Sequence, residues 1–317
     1  MSTQFSIPEK ILLVKPRGFC AGVERAIEIV EIALKIYPLP VYVYHEIVHN
    51  TYVVKDLGAR GAIFVNSVDE VPDHSVLVFS AHGVSPEIRQ QTVTKKLKVI
   101  DATCPLVTKV HMEAIMFAKQ NKTILLVGHE GHDEVVGTMG EAPHKIVLVD
   151  TPEDVEKLQV DDPDQVAVIT QTTLSIDDTK DTIAAIKKKF PKVTFPAKED
   201  ICYATTNRQI AVKDLSNQVD LILVIGSENS SNSKRLAEVS KDKGTKAHLI
   251  DDVSKIDPAW FDGVNVVGIT AGASAPEHLV QGVLQYFKDL GVENIEEVET
   301  IKENVKFGLP PELSKQS

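Results

Sequence analysis

Short apolar runs recur along this chain, with helical patterns between them. They are "ILLV" (11–14), "VYVYHEIV" (41–48), "SVLVFSA" (75–81), "TILLVG" (123–128), "VAVIT" (166–170), "LILVIG" (221–226) and "VVGIT" (266–270). Strand-length apolar runs alternating with helices build parallel sheets covered on both faces. The fold class expected is therefore α/β. At 317 residues the chain is too long for one ordinary core, so two or three domains are expected.

Three cysteines mark a repeat. "GFCAGVERAIEIV" puts Cys20 where a strand hands over to a helix, with Val23, Ile27, Val30, Leu34 and Tyr37 at helical spacing. "DATCPLVTKVH" puts Cys104 before Pro105, a favoured first helical residue, and Val107, Val110, Ala114 and Phe117 follow at the same spacing. "DICYATTNRQIAVKDL" puts Cys202 before a stretch with Thr206, Ile210 and Leu215. A polar strand end follows each: His49 lies 29 residues after Cys20, His132 lies 28 after Cys104, and Ser230 lies 28 after Cys202. A second polar end follows in "FSAHGVS", "TQTTLS" and "TAGASAP", where His82, Thr172 and Ser274 lie 62, 68 and 72 residues after those cysteines. The period, roughly 85 to 100 residues, is that of a domain. It predicts three related α/β domains, 11–103, 104–200 and 201–317, the last with a C-terminal tail. Ligands of open parallel sheets collect beyond the carboxyl ends of the strands. Three such units facing one another bring three thiols and six polar loops to one cavity.

Composition excludes several partners. A net charge of −11 argues against the broad basic surface that nucleic acid requires, and against an anionic membrane. It leaves room for a small anionic substrate held by a local site. No run of 18 apolar residues is present, so no membrane-spanning helix is expected. "MSTQFSIPEKILLVKP" lacks a basic segment followed by a long apolar one, so no signal peptide is expected. Three scattered cysteines make no disulfide framework, and a reducing cytoplasm is the simplest compartment. Neither a Walker A motif nor an early G-x-G-x-x-G occurs.

An isolated cysteine is usually a small buried hydrophobe. Three at equivalent helix starts suggest thiolate ligands, because the positive end of a helix favours the thiolate. Zinc suits a Cys₃His set, but its short cysteine spacing is missing. An iron–sulfur cluster accepts ligands from distant segments, usually four. Three leave one iron open to act as a Lewis acid. The strand ends add anion donors: His49, His82 and His132, then Ser230, Ser231, Asn232 and Ser274. Glycines in "AHG", "GHEGH" and "TAGAS" let backbone approach a phosphate group. Glu134 reads as a solvated charge, a helix cap or, in an enclosed site, a proton donor. Thr172 is either a turn hydroxyl or part of a proton relay.

Taken in order, "PRGFCAGVERAI", "HEIVHN", "FSAHGVS", "DATCPLVTKVH", "GHEGHDEVVGTMG", "TQTTLS", "DICYATTNRQ", "SENSSNSKRL", "TAGASAPEHLV" and "KENVKFGLPPEL" resemble the 4-hydroxy-3-methylbut-2-enyl diphosphate reductase (LytB/IspH) family, from about residue 11 to residue 313. The resemblance implies a pseudo-threefold trefoil of three α/β domains around a central [4Fe–4S] cluster ligated by Cys20, Cys104 and Cys202. It implies that His49, His82, His132, Ser230, Ser231, Asn232 and Ser274 bind the diphosphate of an allylic substrate. Thr172 would contact the substrate hydroxyl, and Glu134 would feed protons. Electrons would come from a ferredoxin- or flavodoxin-type partner. Two rival readings are a zinc-dependent hydrolase of a phosphorylated compound and a non-catalytic cluster protein that senses iron or oxygen.

Overall fold

The computed structural model describes residues 6–314. The first five residues, part of the segment read as lacking a signal peptide, lie outside the described residues, as do the last three of the C-terminal tail. The chain opens with β1 (Lys10–Lys15), α1 (Ala21–Ile36), β2 (Val41–Tyr44), α2 (Thr51–Ala59), β3 (Ala62–Val65), β4 (Val76–Phe79), α3 (Pro86–Thr94) and β5 (Lys98–Asp101). It continues with α4 (Pro105–Lys119), β6 (Thr123–Val127), α5 (Asp133–Glu141), β7 (Ile146–Val149), α6 (Pro152–Lys157), β8 (Val166–Thr170) and α7 (Ile176–Lys189). The last part holds α8 (Tyr203–Ser216), β9 (Leu221–Ile225), α9 (Ser231–Asp242), β10 (Lys246–Ile250), β11 (Val266–Ala271), α10 (Glu277–Asp289) and β12 (Asn294–Glu299).

These strands form three sheets, ordered β3-β2-β4-β5, β7-β6-β8 and β10-β9-β11-β1-β12, and their pairings are parallel. The α/β expectation holds, and the order repeats. In each sheet the strand that follows a cysteine's helix is flanked by the next two strands. A further segment lies beside the third: β5 beside β4, β1 beside β11, and, next to β8, an isolated parallel bridge from Ala167 to Thr194. Each such segment runs on into a cysteine. The repeat is thus cyclic. β1, which sequence position places with 11–103, instead pairs with β11 and β12, Ile11 standing between Val267 and Ile295. Compact units follow the same division. Residues up to Cys20, His49–Thr51 and Tyr203–Val305 make one; Ala21–Val48, Tyr52–Cys202 and the chain from Lys306 make the other.

The sheet of β6, β7 and β8 shows why its strands are apolar throughout. Ile124 and Leu126 meet Val110, Ala114 and Phe117 of α4 on one face. Leu125 and Val127 belong to a core with Ile186 of α7 and Phe190 just after it on the other. The helical stripe expected for α4 is buried as read. Those of α1 and α8 are buried only in part, at Val30 and Leu215. The α1 face that is buried carries Arg25, Ala26, Ile29, Val30 and Ala33, while Val23, Ile27 and Leu34 are only partly covered. In α8, Ile210 is 39% exposed, whereas Arg208, Ala211, Val212 and Leu215 are buried. Among the described residues no helix is long and apolar enough to cross a membrane.

Gly268 in β11 shows how tightly α8 lies on its sheet. A Cβ there would stand 2.8 Å from Leu215 Cδ2 and 2.9 Å from its Cγ. Overpacking of this kind costs about 1–3 kcal/mol. Gly268→Ala should therefore lower the thermal midpoint measured by calorimetry, and combined with Leu215→Ala it should lose less than the sum of the two single losses.

Candidate active site

The three cysteines are each partly exposed. Each stands immediately before a helix: Cys20 before α1, Cys104 as the N-terminal cap of α4, and Cys202 before α8. Each backbone N–H donates to a carbonyl in the polar loop after the third strand of a sheet. Cys104 reaches Ala81 at 2.9 Å, Cys202 reaches Thr172 at 3.0 Å, and Cys20 reaches Ala273 at 3.2 Å. His82 follows Ala81 and Ser274 follows Ala273. Sequence spacing grouped Cys20 with His82, Cys104 with Thr172 and Cys202 with Ser274. The structure shifts every pairing by one, because the segment leading into each cysteine lies beside the third strand of the preceding sheet.

The selected residues fall in two groups, one in each compact unit. The first comprises Cys104, Cys202, His82, His132, Glu134 and Thr172. His132 caps α5, its Nδ1 accepting the Glu134 N–H at 3.2 Å, so the capping role considered for Glu134 belongs to His132. The Glu134 side chain is engaged elsewhere. It is buried, 2% exposed, and Thr172 occupies both carboxylate oxygens: the Thr172 N–H donates to Oε1 at 2.7 Å and its hydroxyl to Oε2 at 2.9 Å. Since the Thr172 carbonyl accepts the Cys202 N–H, one residue joins the buried carboxylate to a cysteine. The His82 and His132 rings meet edge to face with centroids 5.8 Å apart.

Two residues of this group were quoted within motifs but not selected. Asp133 Oδ1 lies 2.7 Å from His45 Nδ1, and its Oδ2 lies 3.9 Å from His82 Nδ1. The hydrogen bond to the Asp133 carboxylate raises the His45 pKa above its ordinary value, against the opposing effect of burial. His45 adopts φ 57°, a left-handed conformation that ends β2 and turns the "VYVYHEIV" run away from the sheet.

The second group comprises Cys20, His49, Ser230, Ser231, Asn232 and Ser274. Ser230 caps α9, accepting the Ser233 N–H at 3.3 Å, and Ser231 is the first helical residue. The Ser274 hydroxyl donates to the His49 carbonyl at 2.9 Å and stands 3.5 Å from Ser230 Oγ. Ser233, also not selected, is fully buried and donates to Ser230 Oγ at 3.0 Å. It fits only because Gly226 and Gly272, at the ends of β9 and β11, lack a Cβ that would overlap its side chain. Asn232 is 5% exposed, and neither its Oδ1 nor its Nδ2 has a hydrogen-bond partner. A buried polar group left this way costs about 1–3 kcal/mol. An unpaired amide in the first turn of a helix, where backbone N–H groups favour negative charge, marks a place for an anionic ligand.

Three parallel sheets of one strand order, each followed or preceded by a cysteine at a helix start, define an α/β protein with a threefold repeat of cysteine-bearing helix starts. The chain belongs to the LytB protein family, which matches residues 11–288. It is 55% identical over 307 residues to the 4-hydroxy-3-methylbut-2-enyl diphosphate reductase of Actinobacillus succinogenes, covering 96% of this chain and 98% of that one. It is 56% identical over 306 residues to the protein of that name from Actinobacillus pleuropneumoniae, with 96% and 98% covered. The structure of the E-1-hydroxy-2-methyl-but-2-enyl-4-diphosphate reductase from Plasmodium falciparum superposes with a TM-score of 0.93 at 41% identity, covering 97% of this chain and 98% of that one.

Asn232→Leu replaces two unpaired buried polar atoms with methyl groups on the same branched skeleton. The ligand-free protein should become more stable by about 1 kcal/mol or more, while the rise in thermal midpoint produced by added pyrophosphate in the wild type should vanish. His45 supplies a pH test. Its folded pKa lies above 6.5, so protonated His45 stabilises the fold below pH 6.5, and that contribution is lost as pH rises through the folded value. Thermal midpoints of wild type and Asp133→Asn should differ most below pH 6.5 and converge in alkaline buffer.

Proposed function

We propose that this chain removes the hydroxyl group of 4-hydroxy-3-methylbut-2-enyl diphosphate reductively, yielding isopentenyl and dimethylallyl diphosphate plus water, the last step of the non-mevalonate isoprenoid pathway. The names of its relatives support this reading, and they describe reductases, so the zinc-hydrolase alternative gains nothing. The observation that carries it is the hydrogen-bonded chain from Glu134 through Thr172 to Cys202. A proton source and a metal-ligand candidate are held by one residue.

Cys20, Cys104 and Cys202 fit a [4Fe–4S] cluster. They offer three thiols, each partly exposed, each at a helix start and each in the same backbone setting. When bound, that cluster supplies electrons singly and an iron without a protein thiolate, which acts as a Lewis acid. The rest is done by side chains. His49, His82, His132, Ser230, Ser231, Asn232 and Ser274 hold the diphosphate, whose charge satisfies the Asn232 amide. Thr172 Oγ1 contacts the substrate hydroxyl and links it to Glu134 Oε2. Glu134 delivers the proton that turns departing hydroxide into water. Breaking the C–O bond takes two electrons and two protons, one proton going to the oxygen and one to carbon. The electrons come from a ferredoxin- or flavodoxin-type protein, and the reaction is cytoplasmic.

An anaerobic preparation tests the proposal. Iron and sulfide should be present, and oxidation of reduced methyl viologen should depend on the allylic diphosphate. Glu134→Gln should keep iron and KM but lose about 10²–10⁴-fold in kcat. Each of Cys20→Ser, Cys104→Ser and Cys202→Ser should lose iron and turnover together. Zinc without sulfide would overturn the cofactor; wild-type turnover in Glu134→Gln would move the proton source elsewhere.

A further inference from the structure

One and a half turns into each cysteine's helix stands a long cationic side chain. Arg25 lies five residues after Cys20, Lys109 five after Cys104 and Arg208 six after Cys202. None of these three grips the loop of its own cysteine. Arg25 Nη1 donates to the carbonyls of Thr103 at 3.0 Å and Ala102 at 3.3 Å, the two residues before Cys104. Lys109 Nζ donates to the carbonyls of Lys198 at 2.8 Å and Glu199 at 3.4 Å, and to Asp200 Oδ1 at 2.5 Å, on the segment before Cys202. Arg208 donates to the Gly18 carbonyl from Nη2 at 2.8 Å and Nε at 3.2 Å, and to the Phe19 carbonyl at 3.4 Å, just before Cys20.

We infer that Arg25, Lys109 and Arg208 are a cyclic set of positioning residues, each carried on the helix begun by one cysteine and clamping the backbone that delivers the next. The circle closes: Cys20's helix holds Cys104's approach, Cys104's holds Cys202's, and Cys202's holds Cys20's. The clamps are built to hold geometry. Arg208 is 1% exposed and Arg25 is buried. Carboxylates balance two of the charges, Glu303 on Arg208 and both Asp200 and Glu113 on Lys109. The C-terminal tail, a motif that the active-site chemistry leaves unused, braces two of them. Glu303 accepts from Arg208, and the Gly308 carbonyl accepts from Arg25 Nε at 2.7 Å. A guanidinium or ammonium group suits the task, since several donors on one group fix more than one carbonyl at once.

The inference rests on the cysteines acting together as ligands, but its test need not. In cluster-free protein, alkylation of each cysteine by iodoacetamide is timed by mass spectrometry. Arg25→Met, Lys109→Met and Arg208→Met should each speed one cysteine, by about fivefold for the loss of a hydrogen bond. The cysteine affected should be Cys104, Cys202 and Cys20 respectively, not the one on the same helix. Should Arg208→Met fail to fold, Arg208→Lys and the half-exposed Lys109→Met carry the test. In reconstituted protein the same variants should shift the midpoint potential or electron paramagnetic resonance spectrum, which a change in general stability leaves alone. Unchanged alkylation, or acceleration confined to the cysteine on the variant's own helix, would overturn the inference. Absence of iron in the wild type would sink the cofactor reading while leaving the alkylation pattern to decide this one.

Discussion

A single backbone hydrogen bond at each cysteine, from its N–H to a carbonyl in a strand-end loop, organises the candidate site. It ties the backbone of Cys104 to Ala81, of Cys202 to Thr172 and of Cys20 to Ala273. The bond exists because the segment entering the cysteine lies parallel to the third strand of a sheet and ends level with it. Strand order thereby sets which polar loop meets which thiol. Each such loop stands at the carboxyl end of its parallel strands, where ligands of parallel α/β proteins are held.

Stability is spent on this arrangement in identifiable places. Asn232 keeps an amide buried and unpaired, and Ser233 is admitted only between two glycines. Burial of the Glu134 carboxylate is opposed by desolvation and offset by two hydrogen bonds from Thr172. Such local departures from a well-satisfied core are expected where a ligand is to be bound. Asp133 stands beside the histidines that the sequence offers to an anion. It is a carboxylate among histidines, and it keeps His45 charged to higher pH.

Much of the fold was legible locally. "VAVIT" is β8 as read, and all three cysteines precede helices because an apolar run, a polar cap or a proline, and a periodic stretch lie within a few residues of one another. β3, β5, β7, β10 and β12 passed unread: they are short or carry charged and polar residues that mask the apolar pattern. The buried faces of α1 and α8 were read only in part: Val30 and Leu215 face inward as expected, but alanine and arginine share those faces while Ile27, Leu34 and Ile210 stay partly exposed.

The sequence by itself determined the α/β alternation, the three equivalent cysteines, the polar strand ends and the residue types offered to an anion. These follow from hydrogen bonds and apolar spacing within one element or one turn. Only the tertiary structure decided that β1 joins the sheet of β9 to β12, that each thiol meets the loop of the preceding repeat, and that Thr172 holds Glu134. It alone decided that Arg208 reaches Gly18, 190 residues away. Contacts across such separations depend on parallel strand order and helix packing, and local patterning carries no record of either.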